Sequence, residues 1–428
     1  MKIKKLVFLF LLIFYPLTFF ANERRIGKLD SVNWDSYFKL GSNSYPYSES
    51  MTYPNLSSVG VVVSEDLYGT GTLIAPNVVM TAAHVLKNTL FDPTPNPASW
   101  EFILHTDYEN ASNEQKYTVQ SIQLHPGWDK RLSQKNGLGD GDELGVDIAL
   151  VFLKNPVVGV YPAKLPTGET EAVGSRIVLA GYGTTVDGVS GVINSKNSVR
   201  VGGENILDRA VVEVDAPSVA EGEKGGLIAV DFDSPQQDKN TLGSSASIVD
   251  YLGSGTSSSI PLPLEASSAV GDSGGPAFLY NNQAWRTVGV VSYGTSDSTY
   301  GDVTVYTRVA SHLEWIQSYL PNWTQAQHTE YNGWLNLDWF GSFFTLINGW
   351  NFHVVHGWLY TSNTDGESLW AWQGDELGWW WSGMGVYPYI YSTNLKKWIY
   401  VNITLSSKNL LTYYDYESKN WVELIISL

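Results

Sequence analysis

The sequence predicts an all-β protein built from short antiparallel strands, with one helix and a second, smaller β unit near its end. Short apolar, β-branched runs alternate with turn residues, and the 428 residues include 40 glycines and 18 prolines. Charged residues make up 16% of the chain, against about 25% in an average globular protein. Twelve of the 17 tryptophans follow residue 320, so a different kind of sequence begins there.

Before residue 320, the apolar runs have the length of strands and lack a long helical period. They lie at 59–63, 78–80, 148–152, 177–180 and 287–291. The segment 309–320 differs, because Val309, Leu313, Ile316 and Leu320 fall on one side of a helix and Pro321 follows. It is therefore predicted to be a helix that closes the first large domain.

The rest of the chain is rich in Trp and Tyr. Residues 321–330 are polar and are predicted to be a linker, and residues 331–428 to form a small antiparallel β domain of hairpins. Its aromatic runs lie at 357–360, 368–372, 378–381, 387–391, 397–400 and 411–414. They are separated by turn residues, as hairpin strands require.

The first 21 residues have the layout of a secretory signal, with lysines before an apolar run from residue 6 to 14. The run is too short before Pro16 for a comfortable membrane span, which needs about 20 apolar residues. A secreted or extracytoplasmic protein is expected, from a bacterium. Residues 22–56 are then an N-terminal extension or a propeptide.

Composition excludes several classes of function. The chain has no cysteine, which removes disulfide scaffolds, thiolate metal sites and cysteine nucleophiles. Its net charge is −17, without a long run of Lys or Arg. Nucleic acid is not an expected partner, because binding to a phosphate backbone needs a basic face.

Three local motifs carry chemically useful side chains. The segment 81–84, Thr-Ala-Ala-His, ends an apolar strand, and the segment 147–151 begins with an acid that enters another strand. The segment 271–276, Gly-Asp-Ser-Gly-Gly-Pro, is a loop whose glycines permit unusual backbone shapes.

These motifs could together form a nucleophilic site. Ser273 would be the nucleophile, and His84 would act as its general base and later as a general acid. Asp147 would hold the imidazole in the right tautomer, and the backbone N–H groups of Gly271 and Ser273 would bind an oxyanion. No metal or organic cofactor is required.

Each residue also has a structural interpretation. His84 alone would more often be a core or loop histidine, Asp147 a strand-capping acid and Ser273 an ordinary turn residue. Asp140 and Asp142 lie near Asp147 and are alternative acids, but the strand that follows Asp147 favours it. The joint occurrence of the motifs favours the catalytic interpretation.

The segment from about residue 57 to 320 resembles the chymotrypsin/trypsin family of serine endopeptidases. The order His, Asp, Ser distinguishes it from other folds that carry the same triad. Further matches lie at 181–183, 291–294 and 305–309. The resemblance implies two six-stranded antiparallel β-barrels, with the catalytic groups in the cleft between them and a closing C-terminal helix.

The resemblance also implies a substrate pocket. Ser267, six residues before the nucleophile, would form its floor, which lacks the charge needed to pair with Arg or Lys. Ser292, Tyr293 and Gly294 would pair with extended substrate, and Thr304 would narrow the pocket. Small or medium uncharged side chains are therefore expected before the scissile bond.

Two departures from the family pattern concern activation and stability. The family pairs the acid before the nucleophile, here Asp272, with an N-terminus made by proteolysis. The nearest candidate for that cut is 25–28, Arg-Ile-Gly-Lys, and its Ile lies 58 residues before His84. A side-chain partner for Asp272 is expected instead. Val85 stands where the family commonly has a half-cystine.

The aromatic domain loosely resembles aromatic-repeat β modules appended to bacterial secreted proteins. Its rings could bind cell-wall polymers or glycans, or could fill space in the core and across strands. A secreted, monomeric serine endopeptidase acting on proteins or peptides is the favoured function. The alternative is a cell-surface or glycan-binding adhesion protein in which a protease-like domain is a non-catalytic scaffold.

Overall fold

A computed structural model shows the arrangement of most of the chain. It describes residues 26–44, 52–134, 143–168, 171–189, 193–195, 198–216, 222–243, 251–294, 298–320, 323–331, 333–346, 349–362, 364–408 and 410–426. The predicted signal at 1–21 lies outside these residues. Among the described helices, none is long and apolar enough to span a bilayer.

The described chain begins with a strand and a helix, β1 (Ile26–Lys28) and α1 (Trp34–Gly41). Asn33 caps α1, because its side chain accepts a hydrogen bond from the Asp35 amide. Tyr37 faces inward and donates its hydroxyl to the Glu265 carbonyl at 2.9 Å. The N-terminal segment is therefore packed against the body of the molecule.

Six strands then form a closed antiparallel barrel in the order β2-β3-β4-β7-β6-β5. The strands are β2 (Val59–Val63), β3 (Tyr68–Ala75), β4 (Val78–Thr81), β5 (Glu101–Ile103), β6 (Lys116–Leu124) and β7 (Ala149–Leu153). The connections contain α2 (Ala83–Leu86), α3 (Pro126–Gln134) and 3₁₀ turns at Pro97–Ser99, Tyr108–Asn110 and Asn113–Gln115. The predicted runs 78–80 and 148–152 thus contribute Val79 and Leu150 to the barrel core, where Phe102 is also buried.

A second β region follows the barrel. Its strands are β8 (Arg176–Gly181), β9 (Thr185–Asp187), β10 (Ile193–Ser195), β11 (Val201–Ile206), β12 (Arg209–Val211), β13 (Leu227–Asp231), β14 (Ala266–Ser267), β15 (Pro276–Asn281), β16 (Ala284–Gly294) and β17 (Val303–Arg308). Seven of them form a sheet in the order β11-β8-β15-β16-β17-β13-β12. The other three join β1 in a smaller sheet in the order β10-β9-β1-β14.

The prediction of a second six-stranded barrel is wrong in detail. The described strands form a curled seven-stranded sheet with two edges instead. Those edges, β11 and β12, are separated in sequence only by Leu207 and Asp208. The Asp208 carboxylate accepts the Asp231 amide at 3.0 Å and the Asp208 amide donates to the Ala229 carbonyl at 2.9 Å. The chain therefore bends from one edge to the other without pairing across the gap.

The predicted closing helix is divided into a 3₁₀ turn at Val309–His312 and α4 (Leu313–Tyr319). Val309 and Ile316 are buried in the core of the first barrel. The helix therefore packs its apolar side against that barrel, as its sequence pattern indicates.

The aromatic region is an antiparallel meander of eleven described strands in sequence order. They are β18 (Gln327–His328), β19 (Trp334–Leu337), β20 (Gly341–Thr345), β21 (Trp350–His353), β22 (Gly357–Thr361), β23 (Ser368–Trp372), β24 (Trp379–Gly383), β25 (Tyr389–Ser392), β26 (Lys397–Val401), β27 (Leu410–Asp415) and β28 (Asn420–Ile425), with α5 (Gly374–Leu377) before β24. Phe343, Trp380 and Ile399 lie in its core.

The meander is joined to the first part of the molecule by a buried ion pair. The Arg286 guanidinium donates two hydrogen bonds of 2.9 Å each to the Glu367 carboxylate. The Lys164 ammonium lies 3.7 Å from the same carboxylate, and Asn336 donates to the Tyr161 hydroxyl at 2.7 Å. Such bidentate pairing restricts the orientation of both partners.

Candidate active site

Three segments that are distant in sequence bring an acid, an imidazole and a hydroxyl into one line. His84 lies in α2 directly after β4, Asp147 precedes β7, and Ser273 lies in the turn before β15. His84 Nδ1 is 2.6 Å from Asp147 Oδ2, and His84 Nε2 is 2.8 Å from Ser273 Oγ. Because a carboxylate only accepts hydrogen bonds, Nδ1 carries the proton and Nε2 is left to accept from the serine.

The Asp147 carboxylate is buried and fully engaged. Oδ1 accepts the His84 amide at 2.9 Å, and Oδ2 also accepts the Ser292 hydroxyl at 2.6 Å. Burial pushes the pKa of Asp147 upward, but the charge of His84 and hydrogen bonds from His84 and Ser292 outweigh it and hold that pKa below its usual value. The acid is thus kept ionised beside the imidazole.

Two hydroxyl residues that hold Asp147 had no such role in the sequence-based prediction. The sequence predicts only that Ser292 lines the substrate path, and it gives Thr307 no role, although Thr307 donates to the Asp147 carbonyl at 2.9 Å. Both lie within segments that resemble the family, in β16 and β17. Asp140 and Asp142, the alternative acids, lie outside the described residues.

The Ser273 turn requires glycine at two positions. Gly271 has φ +96° and Gly274 has φ +82°, a region that favours glycine. A Cβ on Gly274 would collide with the Thr81 hydroxyl and the Thr70 carbonyl. The turn is tied to β3 because the Thr70 amide donates to the Ser273 carbonyl at 2.8 Å.

The backbone amides of Gly271 and Ser273, the expected oxyanion donors, flank Asp272 in this turn. Within the described part of the chain, neither amide donates a hydrogen bond to a protein acceptor. Both N–H groups are therefore available to a bound ligand.

The Asp272 carboxylate is bound by backbone amides and not by the side-chain partner that the sequence predicts. This carboxylate is buried and accepts the amides of Gly183 at 2.8 Å and Ala269 at 2.9 Å. No Lys, Arg or His in the described ranges forms an ion pair with it. Burial raises the pKa of Asp272 to about 8, because two amide donors do not replace its lost hydration.

The predicted pocket floor and wall meet through a cluster of hydroxyls. Ser267 lies in β14 and Thr304 in β17, and their side-chain oxygens are 3.1 Å apart. Thr304 Oγ1 also accepts the Ser268 amide at 3.1 Å. The Thr304 side chain thus lies across the base of the predicted pocket beside two serines.

The other predicted pocket residues lie along β16. The Ser292 side chain contacts Asp147, and the Tyr293 ring packs in the core of the second sheet. Gly294 pairs with Thr304 on β17. On its other side, β16 pairs with β15 only as far as Val290, so the backbone at 292–294 lies beyond that ladder.

No group of three or more metal-ligating side chains occurs among the residues with described positions. The chemistry that this arrangement can support is nucleophilic attack by a serine assisted by an imidazole.

A closed β-barrel and a curled sheet with His, Asp and Ser in line define the chymotrypsin-like class of fold. The family model described as "Trypsin" matches residues 43–219 and 232–316, more than half of the chain. The chain therefore belongs to the trypsin family.

Curated relatives are similar to this chain over 58% to 67% of its length. Spermosin of Halocynthia roretzi is 24% identical, over 67% of this chain and 63% of the relative. The calcium-dependent serine proteinase of Mesocricetus auratus is 29% identical, over 58% of this chain and 31% of the relative. Tryptase of Mus musculus is 27% identical, over 59% of this chain and 78% of the relative. The chain thus spans between about a third and about three quarters of these proteins.

Proposed function

We propose that this protein is a serine endopeptidase that hydrolyses peptide bonds through an acyl-enzyme. Ser273 is the nucleophile, His84 is the base and acid, and Asp147 orients His84. The observation that carries the proposal is the continuous hydrogen-bonded line from Asp147 through His84 to Ser273, with contacts of 2.6 and 2.8 Å. The names of the relatives, a proteinase and a tryptase among them, agree with this reaction class.

The reaction begins with attack of Ser273 Oγ on the substrate carbonyl while His84 Nε2 takes the hydroxyl proton. The amides of Gly271 and Ser273 donate to the oxyanion that forms. His84 then protonates the leaving amine, and a water activated by the same imidazole releases the acyl group. Throughout these steps, Asp147 stabilises the imidazolium.

Covalent labelling with a fluorophosphonate tests the nucleophile directly. We expect one label per wild-type chain and none on Ser273→Ala. Ser318→Ala is a matched control, because Ser318 is an exposed serine whose hydroxyl donates to the Trp315 carbonyl. A wild-type chain that is folded yet never labels, even after trial proteolysis, would support the non-catalytic scaffold instead.

Substrates are proteins or peptides with small or medium uncharged side chains before the scissile bond. Ser267 forms the pocket floor and Thr304 narrows the pocket, while the backbone of 292–294 pairs with extended substrate. The peptidase part is residues 57–320, and it acts as a monomer without a cofactor. The segment 321–330, expected as a linker, carries β18 and packs with the aromatic domain 331–428. Export through a signal at 1–21 and an extension at 22–56 complete the proposed organisation.

The aromatic domain offers a second proposed function, attachment to cell-wall polymers or glycans. On the face away from its core, Trp370, Trp381, Tyr391 and Trp398 are cross-strand neighbours on four consecutive strands. Trp370 is 42% exposed and Trp398 is 44% exposed. Large contiguous exposed apolar surfaces mark interaction sites.

A similar row runs through Tyr389, Tyr400, Tyr414 and Trp421 on the next strands. Neighbouring rings touch edge to face, at centroid distances such as 5.1 Å for Tyr389 and Tyr400. This packing also supports the structural interpretation, in which the rings stabilise cross-strand pairs.

Retention on insoluble polymers separates these two interpretations. We expect the full chain to be retained by insoluble glucan or peptidoglycan and Trp370→Ala/Trp398→Ala to elute earlier. Val354→Ala is the control, because Val354 is an exposed apolar side chain outside the two rows. Equal elution of all three proteins with the void volume would remove the attachment function and leave the rings as packing groups.

A further inference from the structure

An acidic side chain lies directly behind the predicted pocket floor. Asp302 precedes β17 and is two residues before Thr304, so both side chains face the same way. Asp302 is 2% exposed, and its Oδ2 is 3.5 Å from Ser267 Oγ. The floor residue Ser267 is thus uncharged, as expected, but the carboxylate of Asp302 lies directly behind it.

The Asp302 carboxylate is held in place by backbone donors. Oδ1 accepts the Val303 amide at 2.8 Å, and Oδ2 accepts the Ser298 amide at 3.1 Å. Ser298 also donates its hydroxyl to the Ser268 carbonyl at 2.6 Å. These contacts fix the acid relative to the segment that carries the pocket floor.

The acid is an acceptor for the neighbouring hydroxyl. A carboxylate only accepts hydrogen bonds, so Ser267 is the donor in its contact of 3.5 Å with Asp302. Either hydroxyl can donate in the contact of 3.1 Å between Ser267 and Thr304. The base of the predicted pocket therefore places hydroxyl oxygens in front of a carboxylate.

We propose that Asp302 determines the specificity of this pocket, selecting small and medium side chains that donate hydrogen bonds before the scissile bond and rejecting acidic ones. The inference rests on the proposed endopeptidase function and deepens it. Ser, Thr, Asn and Gln are the favoured class, because their donors find an acceptor at the pocket base. Asp and Glu bring a second negative charge into a water-poor site, where like charges repel strongly.

The test compares two isosteric peptides that differ only in Asn or Asp before the scissile bond. We expect the wild type to prefer Asn, and the Asn/Asp ratio of kcat/KM to fall at least tenfold in Asp302→Asn. Fluorophosphonate titration gives the concentration of competent enzyme for each protein. Asp365→Asn is the matched control, because it changes an acid in the aromatic domain and should keep the wild-type ratio.

A second comparison needs only the wild type. Thr and Val have the same shape, and we expect at least threefold higher kcat/KM for the peptide with Thr before the scissile bond. Two results would overturn the inference while leaving the endopeptidase function intact. One is a preference of the wild type for Val. The other is an unchanged Asn/Asp ratio in an Asp302→Asn variant that still reacts with the fluorophosphonate. A wild type that neither labels nor cleaves any peptide would refute both proposals.

Discussion

The proposed catalytic cleft and the aromatic meander are both antiparallel β structures, but they are built in opposite ways. In the cleft, Asp147, His84 and Ser273 come from separate segments and meet through contacts between distant strands. In the meander, every described strand pairs with its neighbours in sequence. The first region depends on contacts between residues far apart in sequence. The second repeats the pairing of strands that are neighbours in sequence.

The difference shows how each region can carry function. A convergent site uses each side chain once, so the loss of one group removes a whole step. A row such as Trp370, Trp381, Tyr391 and Trp398 repeats the same kind of surface on successive strands. We therefore expect single substitutions to have large effects in the cleft and graded effects on the exposed face of the meander.

The largest expected effect is the loss of catalysis in the Asp147→Asn variant. The amide can donate toward His84 Nδ1 and favours the wrong imidazole tautomer, so kcat should fall by about 10⁴-fold. Peptide hydrolysis measured against titrated enzyme tests this. Asp415→Asn changes a carboxylate of the meander that pairs with Lys397 and should retain nearly full kcat. A loss below tenfold in Asp147→Asn would contradict the role of this acid.

The next effect concerns the two faces of the meander. Trp380 is buried in its core, so Trp380→Ala should lower the free energy of unfolding by about 3–5 kcal/mol through the cavity it leaves. Trp398→Ala, on the exposed face, should cost less than about 1 kcal/mol. Urea unfolding followed by circular dichroism measures both. Equal losses of unfolding free energy in the two variants would mean that the exposed aromatic rows stabilise the meander as much as its core does.

The smallest of the three effects is the pH dependence contributed by Asp272. The folded carboxyl keeps its proton up to a pKa of about 8, whereas an unfolded Asp loses it near pH 4. The folded state binds more protons in that window, so the free energy of unfolding falls as pH rises through it.

The Asp272→Asn variant should lose that component of the pH profile, whatever its overall stability. Glu265 also has a pKa raised to about 8 by burial, but it is present in both proteins and its contribution cancels. Chemical denaturation of both proteins between pH 5 and pH 9 gives the difference. Parallel profiles would mean that Asp272 is ionised in solution and paired with a cation.

Much of the fold could be predicted from local patterns. The apolar run 59–63 is β2, and the aromatic run 368–372 is β23. Alternation within a strand shows which residues face the core, because side chains point to opposite faces in turn. The curled second sheet could not be predicted, since it depends on the bend at Leu207 and Asp208 and on contacts with residues far along the chain.

The sequence by itself determined the family and the residues proposed as the triad, because short motifs in a set order identify them. It also determined the hairpin character of the aromatic domain, where pairing partners are neighbours in the chain. Only the tertiary structure decided that Ser292 and Thr307 hold Asp147 and that Asp302 lies behind Ser267. Those contacts join strands far apart in sequence, and their geometry depends on how the sheets curve rather than on any local pattern.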